Sequence, residues 1–424
     1  MIWRVRQAEI GGAAEVPGDK SIGHRALMIA ALARGSSRIT NLPTGADVAS
    51  TATCLEALGI AVSRQNGTAT VEGGEFQTGQ LLDAGNSGTT MRLLTGLLAG
   101  QGVAAELAGD ESLRRRPMGR IVEPLALMGA NIRSTGGRPP LVLQESRLQG
   151  LVYQLPVASA QVKSSLLFAG LGAQGETTII ETLPTRDHTE RMFGAAGITV
   201  ESRGTQISIG GGQRPRPIEI SIPGDLSSAA FLLVAAAIHG STIRIRNVGL
   251  NPSRTGILDI LRGAGCSVDV VHESERLGEP AGKIVLSGRP HGPIVIVPDR
   301  VPAVIDELPL LALLATQAPG MSTIEGASEL RVKESDRIRS VAQTLTALGA
   351  DIVERADGFT IRGPVKLRGT RVSSYGDHRI AMMLAIAGSI ASGETVVEEA
   401  GAAAISFPEF PAILGALGGR IDVE

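Results

Sequence analysis

Gly59-Ile60-Ala61-Val62 returns as Gly129-Ala130-Asn131-Ile132, Gly197-Ile198-Thr199-Val200, Gly265-Cys266-Ser267-Val268, Gly349-Ala350-Asp351-Ile352 and Gly418-Gly419-Arg420-Ile421. The spacings are 70, 68, 68, 84 and 69 residues. A period near 70 through the whole chain means one supersecondary unit used six times. Glycine is the usual residue just past a helix end, so each phrase marks a helix followed by a strand.

A second set of landmarks keeps the same period. Asp19, Asn86, Ser159, Asp225, Asp306 and Asp377 each precede an Ala/Leu-rich stretch, at spacings of 67, 73, 66, 81 and 71. Short polar residues there are good helix N-caps. Each apolar stretch leads to a β-branched segment such as Thr242-Ile243-Arg244-Ile245, weakest in the second copy at Val103 to Leu107. After each Gly phrase come two short strands around a polar turn, as at Asn66-Gly67 and Asp357-Gly358. Asn-Gly and Asp-Gly are strong hairpin signals. The unit reads strand-helix-strand-helix-strand-strand. The fifth copy is long by about 14 residues, and Glu273 to Lys283 is the expected excess.

Pro17-Gly18-Asp19-Lys20-Ser21 through Asn41 aligns without gaps to Pro223-Gly224-Asp225-Leu226-Ser227 through Asn247, an offset of 206 residues or three units. This predicts an α/β protein of two similar domains, each of three βαβαββ units. The expected bounds are residues 15–225 for the first domain and 1–14 with 226–424 for the second.

Bulk properties narrow the function. The chain has 424 residues, 54 of them Gly, and 43% hydrophobic residues, enough for real cores and many turns. Aromatics are only 2% and net charge is -2, which speaks against nucleic acid as a partner. Two cysteines, Cys54 and Cys266, give neither a metal-ligand spacing nor a disulfide framework. Met1 to Val16 lacks the pattern of a signal peptide, and no apolar run reaches membrane-span length. A cytoplasmic protein is expected, and a monomer, because the repeats supply their own cores.

The residues that break the repetition are mostly charged. Lys20 and Arg25 stand where the echo has Leu226 and Phe231, so the fold does not require them. Cations added to a helix N-terminus make a phosphate or carboxylate site. Gly85-Asn86-Ser87-Gly88-Thr89-Thr90-Met91-Arg92 would let an anion approach backbone N–H groups, with no Walker motif present. Arg114-Arg115-Arg116 reads by itself as a solvated basic run. Ser159-Ala160-Gln161 offers a polar cap for hydroxyls. On a helix, Lys333, Glu334 and Arg337 would share one side, either as an exposed ion-paired face or as a site. Gly376-Asp377-His378-Arg379 forms another charged cap. Jointly these point to a polyanionic small substrate and proton-transfer chemistry in an interdomain cleft. Repulsion between the cations predicts domain closure when anions bind.

With Pro17-Gly18-Asp19-Lys20-Ser21…Arg25-Ala26, Gly85-Asn86-Ser87-Gly88-Thr89, Arg116-Pro117-Met118, Arg331-Val332-Lys333-Glu334-Ser335-Asp336-Arg337 and Gly376-Asp377-His378-Arg379 together, the chain resembles the 5-enolpyruvylshikimate-3-phosphate synthase (3-phosphoshikimate 1-carboxyvinyltransferase) family from Pro17 to Pro408. The resemblance implies an inside-out α/β barrel in each domain. It implies transfer of the enolpyruvyl group from phosphoenolpyruvate to the 5-hydroxyl of shikimate 3-phosphate, releasing phosphate, in aromatic amino acid biosynthesis, with no metal or organic cofactor needed. By match to the family's motifs, Lys20, Ser21, Arg25, Ser159, Ala160, Gln161, Arg186, Asp306 and Lys333 are expected at shikimate 3-phosphate. Lys20, Asn86, Gly88, Arg116, Gln161, Arg337, His378 and Arg379 are expected at phosphoenolpyruvate. Asp306, Glu334 and Lys20 are the expected catalytic residues, Glu334 as proton donor and Asp306 as acceptor.

Departures from the family pattern also inform. Leu93 follows Arg92 where one subgroup has proline, Ala160 replaces a frequent second serine, and Ile405-Ser406 precede Phe407-Pro408 where a lysine is often found. Thr185-Arg186-Asp187-His188 replaces a phosphate-binding serine. These features resemble the subgroup less sensitive to the inhibitor glyphosate, while Gly88 leaves room for it; reduced sensitivity is expected. The related UDP-N-acetylglucosamine enolpyruvyl transferases carry a loop cysteine near the position of Arg116, and no cysteine lies between Cys54 and Cys266. A non-catalytic anion-binding protein is disfavoured by Asp306 and Glu334 beside the cations. An RNA-end-modifying enzyme is disfavoured by the low aromatic content.

Overall fold

The computed structural model describes residues 1–424. All six repeat glycines, Gly59, Gly129, Gly197, Gly265, Gly349 and Gly418, have φ between 86° and 102°. That left-handed region is where glycine carries no Cβ penalty. The repeated phrase is therefore a conformational requirement.

Six helices bear the apolar stretches: Lys20–Leu32, Gly88–Gln101, Ala160–Gly170, Leu226–His239, Leu308–Gln317 and His378–Ile390. They are apolar on nearly every face and buried nearly throughout. Four of the expected caps are made, by Asp19, Ser159, Asp225 and Asp377, each side chain accepting from a backbone N–H in the first turn. Two are not. Ser87 caps the second helix, because the Asn86 amide is engaged by Arg116 and Asp110. Asp306 lies two residues ahead of its helix, makes no cap and faces cations instead.

The chain forms six four-stranded sheets of one plan: a parallel pair, then two antiparallel neighbours. The leading strands of two copies are exchanged relative to sequence order. Gly12–Glu15 precedes the helix Lys20–Leu32 but pairs in parallel with Ile243–Gly249. Glu219–Ser221 precedes the helix Leu226–His239 but pairs with Gly35–Thr40. The chain crosses from one compact unit to the other at Pro17-Gly18 and again at Ile222-Pro223. Asn41 and Asn247, at the ends of the two aligned segments, share a positive φ of 54° and 57°. At Gly18 a Cβ would lie 2.0 Å from the Asn41 carbonyl oxygen, so no other residue fits there. In the sixth sheet the strand Trp3–Arg6 stands beside Arg420–Val423 in the place of a hairpin partner.

The first unit comprises residues 1–17, 223–274 and 280–424; the second comprises 18–222 and 275–279. Within the first, the helices Leu226–His239, Leu308–Gln317 and His378–Ile390 pack against one another. Within the second, Gly88–Gln101 and Ala160–Gly170 approach backbone to backbone. A Cβ on Gly96 would stand 2.1 Å from the Ser165 carbonyl oxygen and one on Gly100 2.7 Å from that of Ala169. Each unit has its own continuous core. No helix is long and apolar enough to cross a membrane.

Candidate functional site

The charged residues gather at helix starts in two clusters, one in each unit.

In the unit of residues 18–222, Lys20 begins its helix, and its Nζ donates to Asp47 Oδ2 at 2.7 Å. Asp47 lies in the first turn of the helix Ala46–Ala57. Behind this pair runs a buried chain of short bonds. His24 Nδ1 and Thr51 Oγ1 are 2.6 Å apart, Thr51 and Thr90 Oγ1 2.7 Å, and Thr90 and Ser87 Oγ 2.8 Å. It ties the starts of three helices together. Burial, with Lys20 and Arg25 nearby, holds the His24 imidazolium well below the usual histidine value, so this histidine is neutral.

Arg25 is only 3% exposed. Its Nε donates to Thr189, one Nη to Ser164 and the other to the Ser21 carbonyl. Burial pushes its pKa down to about 10, with the Arg186 charge acting in the same direction; Glu190, Asp19 and Glu279 oppose it. Arg186 precedes the helix His188–Ala195.

Gly88, Arg92, Arg116, Asn86 and Gln161 form one connected set. Arg116 donates to Asn86 Oδ1 at 2.6 Å and Arg92 to Gln161 Oε1 at 2.6 Å; Gln161 Nε2 donates in turn to Thr89 at 3.0 Å. A Cβ on Gly88 would meet Arg92 Nη1 at 2.9 Å and Arg116 Nη1 at 3.3 Å. Of the basic run, Arg114 and Arg115 are exposed and Arg116 is buried, so only one member is drawn into the cluster. Ser159 caps the helix whose first residues are Ala160 and Gln161.

In the unit of residues 1–17, 223–274 and 280–424, Arg337 is the hub. Its Nε donates to Asp377 at 2.8 Å and Nη2 to Glu334 at 2.6 Å, while Nη1 stands 3.8 Å from Asp306. Burial alone would lower the Arg337 pKa, but the Asp377, Glu334 and Asp306 charges outweigh it and raise it. Arg379 donates to the Asp306 carbonyl at 2.8 Å and lies 3.7 Å from its carboxylate. The sequence reading placed Lys333, Glu334 and Arg337 along one helix. Here residues 328–332 are a 3-10 turn and the helix begins at Arg337, yet Glu334 still reaches Arg337. Lys333 pairs with Glu329 at 3.6 Å. Burial pushes the Lys333 pKa below its ordinary value, against the opposing pull of Asp306. His378 is only 1% exposed, inside the core of its unit.

The sequence assigns no place in the site to Asp47, and it does not show the partners of Thr89, Glu307 and Asp377, which are Gln161, Ser227 and Arg337. Glu307 is buried and joins Ser227, which also receives a bond from Arg254. An acid in the first turn of the second helix was the one local signal for Asp47.

Each cluster sets buried guanidinium groups and an ammonium at or just before helix starts, and one adds three carboxylates within 3.8 Å of a single arginine, of which Asp377 is a helix cap and Glu334 and Asp306 are not. Arginine forks suit planar bidentate anions, and two such acids suit proton transfer in both directions.

Comparison with known proteins gives one answer. The profile of the family EPSP synthase (3-phosphoshikimate 1-carboxyvinyltransferase) matches residues 5–414. A 3-phosphoshikimate 1-carboxyvinyltransferase of Syntrophomonas wolfei is 48% identical over 414 residues, covering 96% of this chain and 97% of its own. That of Geobacillus kaustophilus is 48% identical over 421 residues, covering 97% and 98%. The solved structure of EPSP synthase from Acinetobacter baumannii superposes with a TM-score of 0.87 at 40% identity, each chain covered completely.

Proposed function

The chain belongs to the EPSP synthase family, and on that premise we propose how its own residues carry the reaction. The protein is a 3-phosphoshikimate 1-carboxyvinyltransferase of the shikimate pathway. It moves the enolpyruvyl group of phosphoenolpyruvate to the 5-hydroxyl of shikimate 3-phosphate and releases phosphate.

In our reading Arg25, Arg186, Lys20, Ser21, Ser159 and Gln161 receive shikimate 3-phosphate, and Lys333 and Asp306 hold the reacting hydroxyl. Ala160 lies against the same substrate without a polar group to offer. Arg92, Arg116, Arg337 and Arg379, with Lys20, Asn86, Gly88 and Gln161, receive the carboxylate and phosphate of phosphoenolpyruvate. His378, at the start of the helix His378–Ile390 and 1% exposed, is assigned to the same phosphoenolpyruvate set.

The chemistry then needs one acid and one base. Glu334 gives a proton to the methylene carbon of phosphoenolpyruvate, and its neighbour becomes cationic. The 5-hydroxyl oxygen bonds to that carbon as Asp306 takes the hydroxyl proton. In the second half the carbon–oxygen bond to phosphate breaks, Asp306 returns a proton to the leaving phosphate, and Glu334 removes one from the methyl group to restore the vinyl. The observation that supports this division is the pair of carboxylates, Glu334 at 2.6 Å and Asp306 at 3.8 Å, on the one buried guanidinium of Arg337.

Glyphosate, an anion with phosphonate and carboxylate groups, fits the Gly88–Arg116 set on this reading. Sensitivity is reduced but not abolished because Leu93, Ala160 and Arg186 follow the less sensitive subgroup. A cytoplasmic monomer completes the proposal, supported by two buried free thiols, Cys54 and Cys266, and by a separate core in each unit.

The test is phosphate release from phosphoenolpyruvate with shikimate 3-phosphate and, in parallel, with UDP-N-acetylglucosamine. The expected result is release with shikimate 3-phosphate alone, lost in Asp306→Ala. Unchanged turnover in that variant would remove Asp306 from the mechanism.

A further inference from the structure

The excess expected in the fifth copy lies in the hairpin of the fourth, on the sheet of Ile243–Gly249, and the βαβαββ plan does not need it. The hairpin strands, Ser267–Arg276 and Glu279–Ser287, are 10 and 9 residues long. The equivalent Ala61–Gln65 and Thr68–Gly73 have 5 and 6. The turn between them, Leu277-Gly278, has positive φ at both residues, as a tight two-residue hairpin requires.

The tip residues 275–279 group with the unit of residues 18–222. Leu277 packs on that unit's core. A Cβ on Gly278 would stand 2.8 Å from the Arg191 carbonyl oxygen, and Arg191 Nη1 donates to the Gly278 carbonyl at 3.3 Å. Glu279 is the notable member. Its carboxylate meets His188 Nδ1 at 2.8 Å, and both side chains are 1% exposed. A turn needs no buried carboxylate, and burying one is costly unless it is paired.

His188 follows Arg186 by two residues and precedes Thr189, the acceptor of Arg25 Nε. Asp187 is held by Arg191 at 2.7 Å, the same arginine that grips the tip. The segment Arg186 to Thr189 is thus fixed from the hairpin side at two points. It presents Arg186 and steadies Arg25, the two cations assigned above to the substrate's phosphate. The Glu279 charge also opposes the mutual repulsion of Arg25 and Arg186.

We propose that Glu279, at the tip of the inserted hairpin, is a positioning residue for the phosphate of shikimate 3-phosphate, acting through His188 on the segment that carries Arg186. This inference rests on the assignment of Arg186 and Arg25 to that phosphate. Glu279 touches no substrate. Its effect belongs to one substrate, because the segment it fixes carries Arg186 and holds Arg25 through Thr189, the two cations assigned to the phosphate of shikimate 3-phosphate.

The experiment measures KM for each substrate, kcat and thermal stability in the full-length enzyme carrying Glu279→Ala, Glu279→Gln, Arg186→Ala or, as a control for simple destabilisation, Ile361→Val in the other unit. Glu279→Ala should raise KM for shikimate 3-phosphate about tenfold while leaving KM for phosphoenolpyruvate within about twofold, since small misplacements of a binding group carry penalties of this order. Glu279→Gln, which still accepts from His188, should restore most of the loss. Ile361→Val should lower thermal stability and move neither KM. If Glu279→Ala does not fold, His188→Phe removes the same bond from its other end and should give the same split. Unchanged KM for shikimate 3-phosphate in Glu279→Ala, with a raised value in Arg186→Ala, overturns the role of Glu279 alone. Unchanged KM in Arg186→Ala overturns the phosphate assignment on which it rests.

Discussion

Asp377 accepts from Arg337 Nε at 2.8 Å, and neither side chain is more than 1% exposed. The same carboxylate receives Ser335 and caps the helix His378–Ile390 through the Arg379 N–H. One buried acid thereby sets two arginines assigned to phosphoenolpyruvate. Burial pushes its pKa up, but the Arg337 charge and hydrogen bond prevail and hold it below the ordinary carboxylate value.

Asp377→Asn should cost about 3–5 kcal/mol, the usual result of breaking a buried pair by removing one partner. The sign with pH follows from linkage. A depressed folded-state pKa gives stability that is full above the unfolded value, near 3.8, and is lost as pH falls through the lower folded value. Thermal stability of the parent should therefore fall on the acid side. The variant should show less of that acid dependence.

Gly88→Ala places a methyl group 2.9 Å from Arg92 and 3.3 Å from Arg116. The guanidinium ends must give way by a few tenths of an ångström, and the fold need not. KM for phosphoenolpyruvate should rise about tenfold, glyphosate inhibition should weaken in parallel, and the melting temperature should stay close to the parent's. Steady-state kinetics at fixed shikimate 3-phosphate would read this.

Asp47→Asn removes the partner that holds Lys20 at 2.7 Å. The pair is partly exposed, at 19% and 9%, so the stability change should stay near about 1 kcal/mol. Activity should suffer more, by roughly tenfold or greater in kcat/KM, because a freed lysine samples many rotamers. Equal small losses in both quantities would make Asp47 a structural residue only.

Lys333 offers an alkaline signature. Burial lowers its pKa from the ordinary 10.5, so its charge is lost earlier than a surface lysine's as pH rises. Affinity for shikimate 3-phosphate should decline on that limb. Lys333→Arg, which stays charged, should move the decline to higher pH even if its overall activity is lower; binding measured by calorimetry across the alkaline range would show it.

Sequence alone determined what is local and repeated. The six glycine phrases demand a left-handed residue wherever they occur, and short polar caps act on N–H groups within three residues. Period, helix starts and hairpins follow from such contacts, and so does the presence of Lys20 and Arg25 where the echo has Leu226 and Phe231. The cap expected at Asn86 passed to Ser87, and the helix expected across Lys333 to Arg337 begins only at Arg337. Arg116 and Asp110 claim the Asn86 amide, and Asp336 caps the helix that begins at Arg337 through the Arg339 N–H; competition of that kind is invisible one residue at a time.

Tertiary structure alone decided pairings between residues far apart in the chain. Glu219–Ser221 joins Gly35–Thr40, and Gly12–Glu15 joins Ile243–Gly249. Backbone hydrogen bonds carry no sequence label, so either leading strand could serve either sheet. Asp47 with Lys20, Asp377 with Arg337, and Glu279 with His188 are likewise selected by burial. A charge taken out of water must find an opposite charge or hydrogen-bond partner, and only the packed chain determines which one is within reach.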